Sequence, residues 1–230
     1  MTKYRAFGFR TAMMSAGLLM VGIVTVAAQE ADDFALKLEE LKQDLESSTQ
    51  NAVTATGKEE YGNAAVEFDY AAQYSRQLRI YSLASYLPKA QDGFSAQKLQ
   101  ASQPSQSPQN VGYASNQMPL NSVRQEYVKG DQIVILTITA DAANSVQQMT
   151  TMINNPAQLS TQYSTERING QRALVQKAQT YQSSSNAAKA DDVTVSLPFN
   201  GNYMIVGAGP KEATVAHLSA LDFNGLMAVR

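Results

Sequence analysis

The chain has 230 residues, 44% of them hydrophobic and 17% charged, which is one or two domains with enough apolar material for a core and too much for a disordered polymer. It has no cysteine, a single histidine (His217) and a net charge of −2. Disulfides, thiol chemistry, a lipid-modified cysteine anchor, a multi-histidine metal site and bulk electrostatic binding of nucleic acid are therefore excluded.

The N-terminus opens with Lys3, Arg5 and Arg10, followed by an apolar run from Thr11 to Ala28 that ends in Val26-Ala27-Ala28 and turns polar at Gln29-Glu30. This pattern predicts a signal peptide over residues 1–28, cleaved near Ala28, and a periplasmic location. An uncleaved anchor is the competing reading, because the run is about as long as a bilayer requires. The small residues at its end favour cleavage, which would leave no stable membrane anchor. Of the 18 basic residues three lie in this segment, so 15 remain against 20 acidic ones, a net of −5. Such a chain has no basic patch for anionic lipid or DNA.

Residues 29–100 are predicted to form a helical hairpin region. In the first helix, Asp33 to about Gln50, Phe34, Leu38, Leu41 and Leu45 fall on one face. Ser47, Ser48 and Thr49 weaken the helical preference. The second helix, about Lys58 to Tyr86, carries Ala64, Phe68, Ala71, Ser75 and Leu78 at helical spacing, with Tyr61, Tyr70, Tyr74 and Tyr81 on its flanks, and Pro88 stops it. Asn51–Gly57 is the expected connection. The stripe Phe34, Leu38, Leu41 and Leu45 is the candidate partner surface. The competing reading, a hairpin packed on its own domain, is preferred because the leucine stripe spans too few turns to demand a coiled coil.

Residues 101–119 change composition to Ser, Gln and Pro without apolar periodicity, which predicts a linker. Residues 120–230 follow as a strand-rich domain. Strands are expected at Val123–Val128 and Gln132–Thr139 around Lys129-Gly130-Asp131. The second of these is apolar on both faces and so expected to be central and covered from both sides. Ser145 and Gln148 suggest a capping box at the start of a helix whose buried stripe is Val146, Met149, Met152 and Ile153 and which ends at Pro156. Two hairpins follow around Asn169-Gly170 and Asn200-Gly201, since Asn-Gly supplies the positive dihedrals of a tight turn. A final helix runs from near Lys211 through Val215, Leu218 and Leu221, with Asn224-Gly225 as its cap. The fold class is α+β: a helical hairpin followed by an antiparallel sheet of five or six strands with packed helices.

Four phrases, Tyr86-Leu-Pro-Lys-Ala-Gln-Asp-Gly-Phe94, Tyr127-Val-Lys-Gly-Asp131, Met152-Ile-Asn-Asn-Pro156 and Arg167-Ile-Asn-Gly-Gln-Arg-Ala173, resemble a group of uncharacterised exported proteins of Gram-negative bacteria. Phe94 stands where that group usually has tryptophan. The resemblance covers roughly Ile80 to Arg230. The element order of the C-terminal half also looks like the PsbP-like α/β/α sandwich of extrinsic accessory proteins. That resemblance implies binding or assembly and brings no catalytic motif.

The remaining candidates for chemistry read as structure. His217 lacks a Gly-x-Ser-x-Gly elbow to work with and is expected to be half-buried on the last helix. Asp32-Asp33, Glu39-Glu40, Glu59-Glu60 and Asp191-Asp192 are sequence neighbours that point apart, unlike two carboxylates facing across a cleft. Asp32-Asp33 sits where a helix start favours negative charge. Gly207-Ala208-Gly209-Pro210 is a strand-to-helix turn rather than a phosphate cradle, because no Lys-Ser pair follows and Glu212 repels an anion. No catalytic, cofactor or metal residue is therefore assigned and no cofactor is expected. The expected function is that of a soluble periplasmic accessory or binding protein of protein or cell-envelope components. The alternative is a periplasmic hydrolase of unrecognised type.

Overall fold

The computed structural model describes residues 16–102, 119, 121–177 and 191–228, with backbone alone for 16–32 and 158. The basic start at Lys3, Arg5 and Arg10 and most of the Ser/Gln/Pro linker lie outside the described residues. The fold is α+β. A hairpin of α1 (Ala16–Gly57) and α2 (Tyr61–Ser82) is followed by a 3-10 turn at Leu83–Tyr86 and a seven-stranded antiparallel sheet in the order β1-β2-β3-β7-β6-β5-β4.

The hairpin is longer than its sequence suggests. Along α1 the inward positions Phe34, Leu38, Leu41, Leu45, Ser48, Ala52 and Ala55 alternate in steps of four and three, and Leu41 and Ala52 are fully buried. The facing residues of α2 are Ala64, Glu67, Ala71, Tyr74, Leu78 and Tyr81. This is a heptad seam, and its small residues let the two backbones approach. The connection expected at Asn51–Gly57 is helical instead, because the seam continues through Ala52 and Ala55. Thr49, Thr54 and Thr56 satisfy their hydroxyls on the carbonyls four residues back, at 2.7–2.8 Å. The turn is Lys58–Glu60, with Glu59 at φ 61°. Two expected seam residues are displaced: Phe68 and Ser75 are exposed, and Glu67 and Tyr74 take the inward positions. In the full chain α1 begins at Ala16, so Asp33 lies inside the helix.

The sheet begins earlier than expected. β1 (Ser95–Ala101) pairs antiparallel with β2 (Ser122–Lys129), so the region ending at 100 and the linker beginning at 101 divide a strand. The sheet has seven strands, not five or six, and a segment from Leu120 onward does not hold them all. β2 and β3 (Gln132–Thr139) form the expected hairpin. β3 is internal, yet only Val134, Leu136 and Ile138 on one face are fully buried, and Ile133 on the other is exposed. The expectation of cover on both sides fails because α3 (Ala143–Asn154) packs across β5, β6 and β7, and not across β3. Ser145 does not cap α3; the helix starts two residues earlier, after Ala142, without a side-chain cap. Val146 and Ile153 are buried, whereas Met152 is exposed.

β4 (Tyr163–Ile168) and β5 (Gln171–Lys177) turn at Asn169-Gly170, and β6 (Asp192–Phe199) and β7 (Tyr203–Pro210) at Asn200-Gly201, all four turn residues at positive φ. The segment expected to be a turn, Gly207-Ala208-Gly209-Pro210, is the end of β7. Its glycines make room for close packing. A Cβ on Gly207 would lie 2.7 Å from Thr214 of α4 (Lys211–Ser219), and one on Gly209 would collide with the Ile133 carbonyl. The final helix is two: α4 stops at Ser219, and α5 (Phe223–Ala228) begins after Asp222, whose carboxylate accepts the Gly225 N–H at 2.9 Å. Asn224-Gly225 is therefore inside α5, not a cap. The core lies between the sheet and the layer of α4, α5 and the 3-10 turn, where Tyr127, Leu136, Leu197, Ile205, Leu218 and Leu226 are fully buried.

Candidate interaction surface

The hairpin is anchored at its base. The Phe34 and Tyr81 rings pack at 4.5 Å, and Phe34 also rests on the main core. Arg79 reaches Asp141, just beyond β3, with Nη1 at 2.9 and 3.1 Å from the two carboxylate oxygens. Partial burial disfavours the Arg79 charge, but hydrogen bonds to Tyr203 and Asp141 outweigh it and hold the guanidinium above its ordinary pKa. Asn121 donates to the same carboxylate at 3.2 Å. From this base α2, at about 1.5 Å per residue, extends on the order of 30 Å to the turn at Lys58–Glu60.

The stripe expected to meet a partner is the seam of the hairpin itself. Leu41 is 1% exposed, and Phe34, Leu38 and Leu45 are half-buried against α2 and the core. The exposed apolar surface lies elsewhere. Of the nine large hydrophobic side chains exposed among the described residues, six are on the hairpin: Leu36, Val53, Tyr61, Val66, Phe68 and Tyr70. Tyr61 is 66% and Phe68 50% exposed. The sequence contains one usable signal for them. α2 repeats Ala and Tyr so evenly that two adjacent stripes both fit a helical period, and one of the two had to face outward.

His217 is fully buried, not half-buried. Its Nδ1–H donates to the Ala213 carbonyl at 2.8 Å, and Nε2 accepts the Gln91 N–H at 3.2 Å, which assigns the neutral tautomer. The rings of Phe94 and Tyr127 close the site at 5.1 and 4.5 Å. Both nitrogens are committed, so His217 has no free lone pair to act as a base. The Tyr127 hydroxyl donates to the Pro88 carbonyl at 2.7 Å, and burial pushes its pKa well above the ordinary value.

A cleft of about 760 Å³ opens beside the start of α4, lined by Phe94, Lys129, Lys177, Asp192, Lys211 and Glu212 among others. Two of its three lysines are engaged by neighbours. Lys211 pairs with Glu166, and Lys129 donates to the Asp92 carbonyl at 2.7 Å while lying 5.7 Å over the Phe94 ring. Among the described residues, no group of three or more His, Asp or Glu side chains is placed to hold a metal, and no helix is long and apolar enough to cross a membrane. Comparison with protein-family models, with curated proteins and with solved structures finds no match.

Proposed function

We propose that the chain is an exported accessory protein that binds a protein or cell-envelope component through its helical hairpin, without catalysis. One observation carries the reading: six exposed large apolar side chains are gathered on the helical hairpin, whose ties to the sheet are the packing of α1 on β1 and α2 on β2 and the Arg79–Asp141 pair. Exposed apolar groups concentrated on one projecting element favour contact with a partner. Export rests on the basic start, the apolar run and Val26-Ala27-Ala28, which put the mature start near Gln29 in the periplasm.

The test has two parts. Fractionation and N-terminal sequencing should find the protein in the periplasm, beginning near Gln29; an intact Met1 in the membrane fraction would make it an anchored protein. Envelope extract passed over the wild-type protein and over the Tyr61→Ser/Phe68→Ser variant should yield partners only with the wild type. Equal recovery on both would set the hairpin aside. Substrate hydrolysis by the purified protein would overturn the non-catalytic reading.

A further inference from the structure

The outer side of α2 holds a second heptad stripe. Tyr61, Ala65, Phe68 and Ala72 follow one another in steps of four, three and four, beside the seam residues Ala64 and Ala71, and all four are exposed. Large and small side chains alternate along it. Phe34 against Tyr81 sets the antiparallel register of the hairpin. Carried along the heptads, it places Thr49 and Thr56 of α1 beside Phe68 and Tyr61, with Val53 next to them. This flank is apolar near the turn and polar toward the base. Its borders carry both signs of charge, with Asp69 and Arg76 on α2 and Lys42 and Glu46 on α1.

Such a strip selects neither an acidic nor a basic partner, but it fits itself. When α2 is laid antiparallel on α2 of a second copy, one heptad register brings all four stripe residues together. It sets Tyr61 on Ala72 and Phe68 on Ala65 of the second copy, and the two-fold repeats both pairs. Every layer then joins a ring to a hollow, the alternation that lets facing layers interdigitate. A shift of one heptad either way faces Tyr61 with Arg79 or Phe68 with Lys58. The same register brings Arg76 to the turn Lys58–Glu60 of the second copy. Arg76 is exposed and has no ion-pair partner among the described residues, and that turn carries two acids and one lysine. A helical side chain leans toward its own N-terminus, which aims Arg76 at Glu60 rather than at Lys58. Asp69 comes beside Gly62 of the second copy and meets no like charge there.

We propose that this strip receives a second copy of the chain, two hairpins meeting antiparallel about a two-fold axis that passes between Ala65 and Phe68. Tyr61 is 66%, Val53 56% and Phe68 50% exposed. With the two alanines, the pair of copies covers on the order of 900 Å², below the size of a standard stable interface. The dimer is therefore weak and concentration-dependent, with a Kd on the order of 10–100 μM. The inference does not rest on the binding of an envelope partner. Val66 and Tyr70 lie on the opposite side of α2 and Leu36 lies off the strip on α1, so all three stay exposed in the dimer.

The test is sedimentation of the exported protein, purified through a C-terminal tag from cells expressing the full chain, from about 1 to 500 μM. The mass should rise from monomer toward dimer across that range. Phe68→Lys should weaken the dimer by about tenfold or more, and Arg76→Glu by about threefold or more. Ala65→Phe should weaken it by about tenfold, because ring then meets ring. The exchange Ala65→Phe/Phe68→Ala should restore it, because each ring again faces an alanine. Met227→Ser, at an exposed apolar site off the hairpin, should leave it unchanged. Circular dichroism should show the same helix content in every variant, and at about 1 μM all should unfold as the monomeric wild type does. A chain that stays monomeric throughout, a dimer indifferent to Phe68→Lys, or an exchange variant that does not recover would overturn the proposal. If the chain stays monomeric while Tyr61→Ser/Phe68→Ser loses envelope partners, the strip belongs to that partner and not to a second copy. If the dimer forms and envelope extract yields no partner, the dimer stands and the envelope-partner reading fails.

Discussion

His217 and Tyr127 form one buried unit that ties α4 and β2 to the segment Pro88–Gln91. Replacing His217 by Ala removes two hydrogen bonds and leaves a cavity between two rings. The expected loss of stability is about 2–4 kcal/mol, read as a lower urea midpoint. Tyr127 also makes stability depend on alkaline pH. Its folded pKa is raised above the unfolded value near 10, so its contribution is complete below about pH 10 and is lost as pH rises beyond it. Tyr127→Phe should therefore be less stable at neutral pH, because the Pro88 carbonyl loses its donor. Its decline between about pH 10 and 11 should be shallower than that of the wild type in parallel urea titrations. An equally steep decline would show that other groups govern the alkaline limb. The sequence placed His217 on a helix among apolar neighbours and so made it structural. It held no sign of the Gln91 contact, because a pairing 126 residues apart depends on the sheet that brings the two together.

Among the elements, legibility followed how much of an element's pattern was local. The Asn-Gly hairpins were readable because positive φ at Asn169, Gly170, Asn200 and Gly201 is a demand that those residues meet. β1 was not, because an edge strand with Gln97, Lys98 and Gln100 and an irregular register has little apolar alternation to show. The length of α1 was hidden by Ser47, Ser48 and Thr49, which look like helix breakers until Ser48 is seen in the seam. The choice between Phe68 and Glu67 as seam residue was undecidable from α2 alone, since only the register against α1 selects it. The hairpin thus has one costly face and one free face. Leu41→Ala should cost about 2–4 kcal/mol, and Phe68→Ala should stay within about 0.5 kcal/mol. Thermal or urea unfolding of the two variants reads the contrast, and a similar loss at both sites would mean that Phe68 is covered.

At the scale of the whole molecule, the strand order divides the sheet into two meanders. β1-β2-β3 is one, β4-β5-β6-β7 is the other, and among the described residues the ladder between β3 and β7 joins them. β7 is the last strand to leave the ribosome and the central one in the finished sheet. Until it arrives, β3 presents Ile133–Ile138 along an unpaired edge, a run of high β-propensity without a charge. The vulnerable species is therefore a chain interrupted before Tyr203, which would tend to add strands from other copies to β3. A chain ended at Asn200 should aggregate on synthesis, and Ile135→Lys, on the face that α3 leaves open, should slow that aggregation. The same substitution should be tolerated in the complete protein, because there the β3 edge is closed by β7 and residue 135 lies on the more open side of the sheet. The order in which the chain is made thus sets a hazard that the finished structure no longer displays.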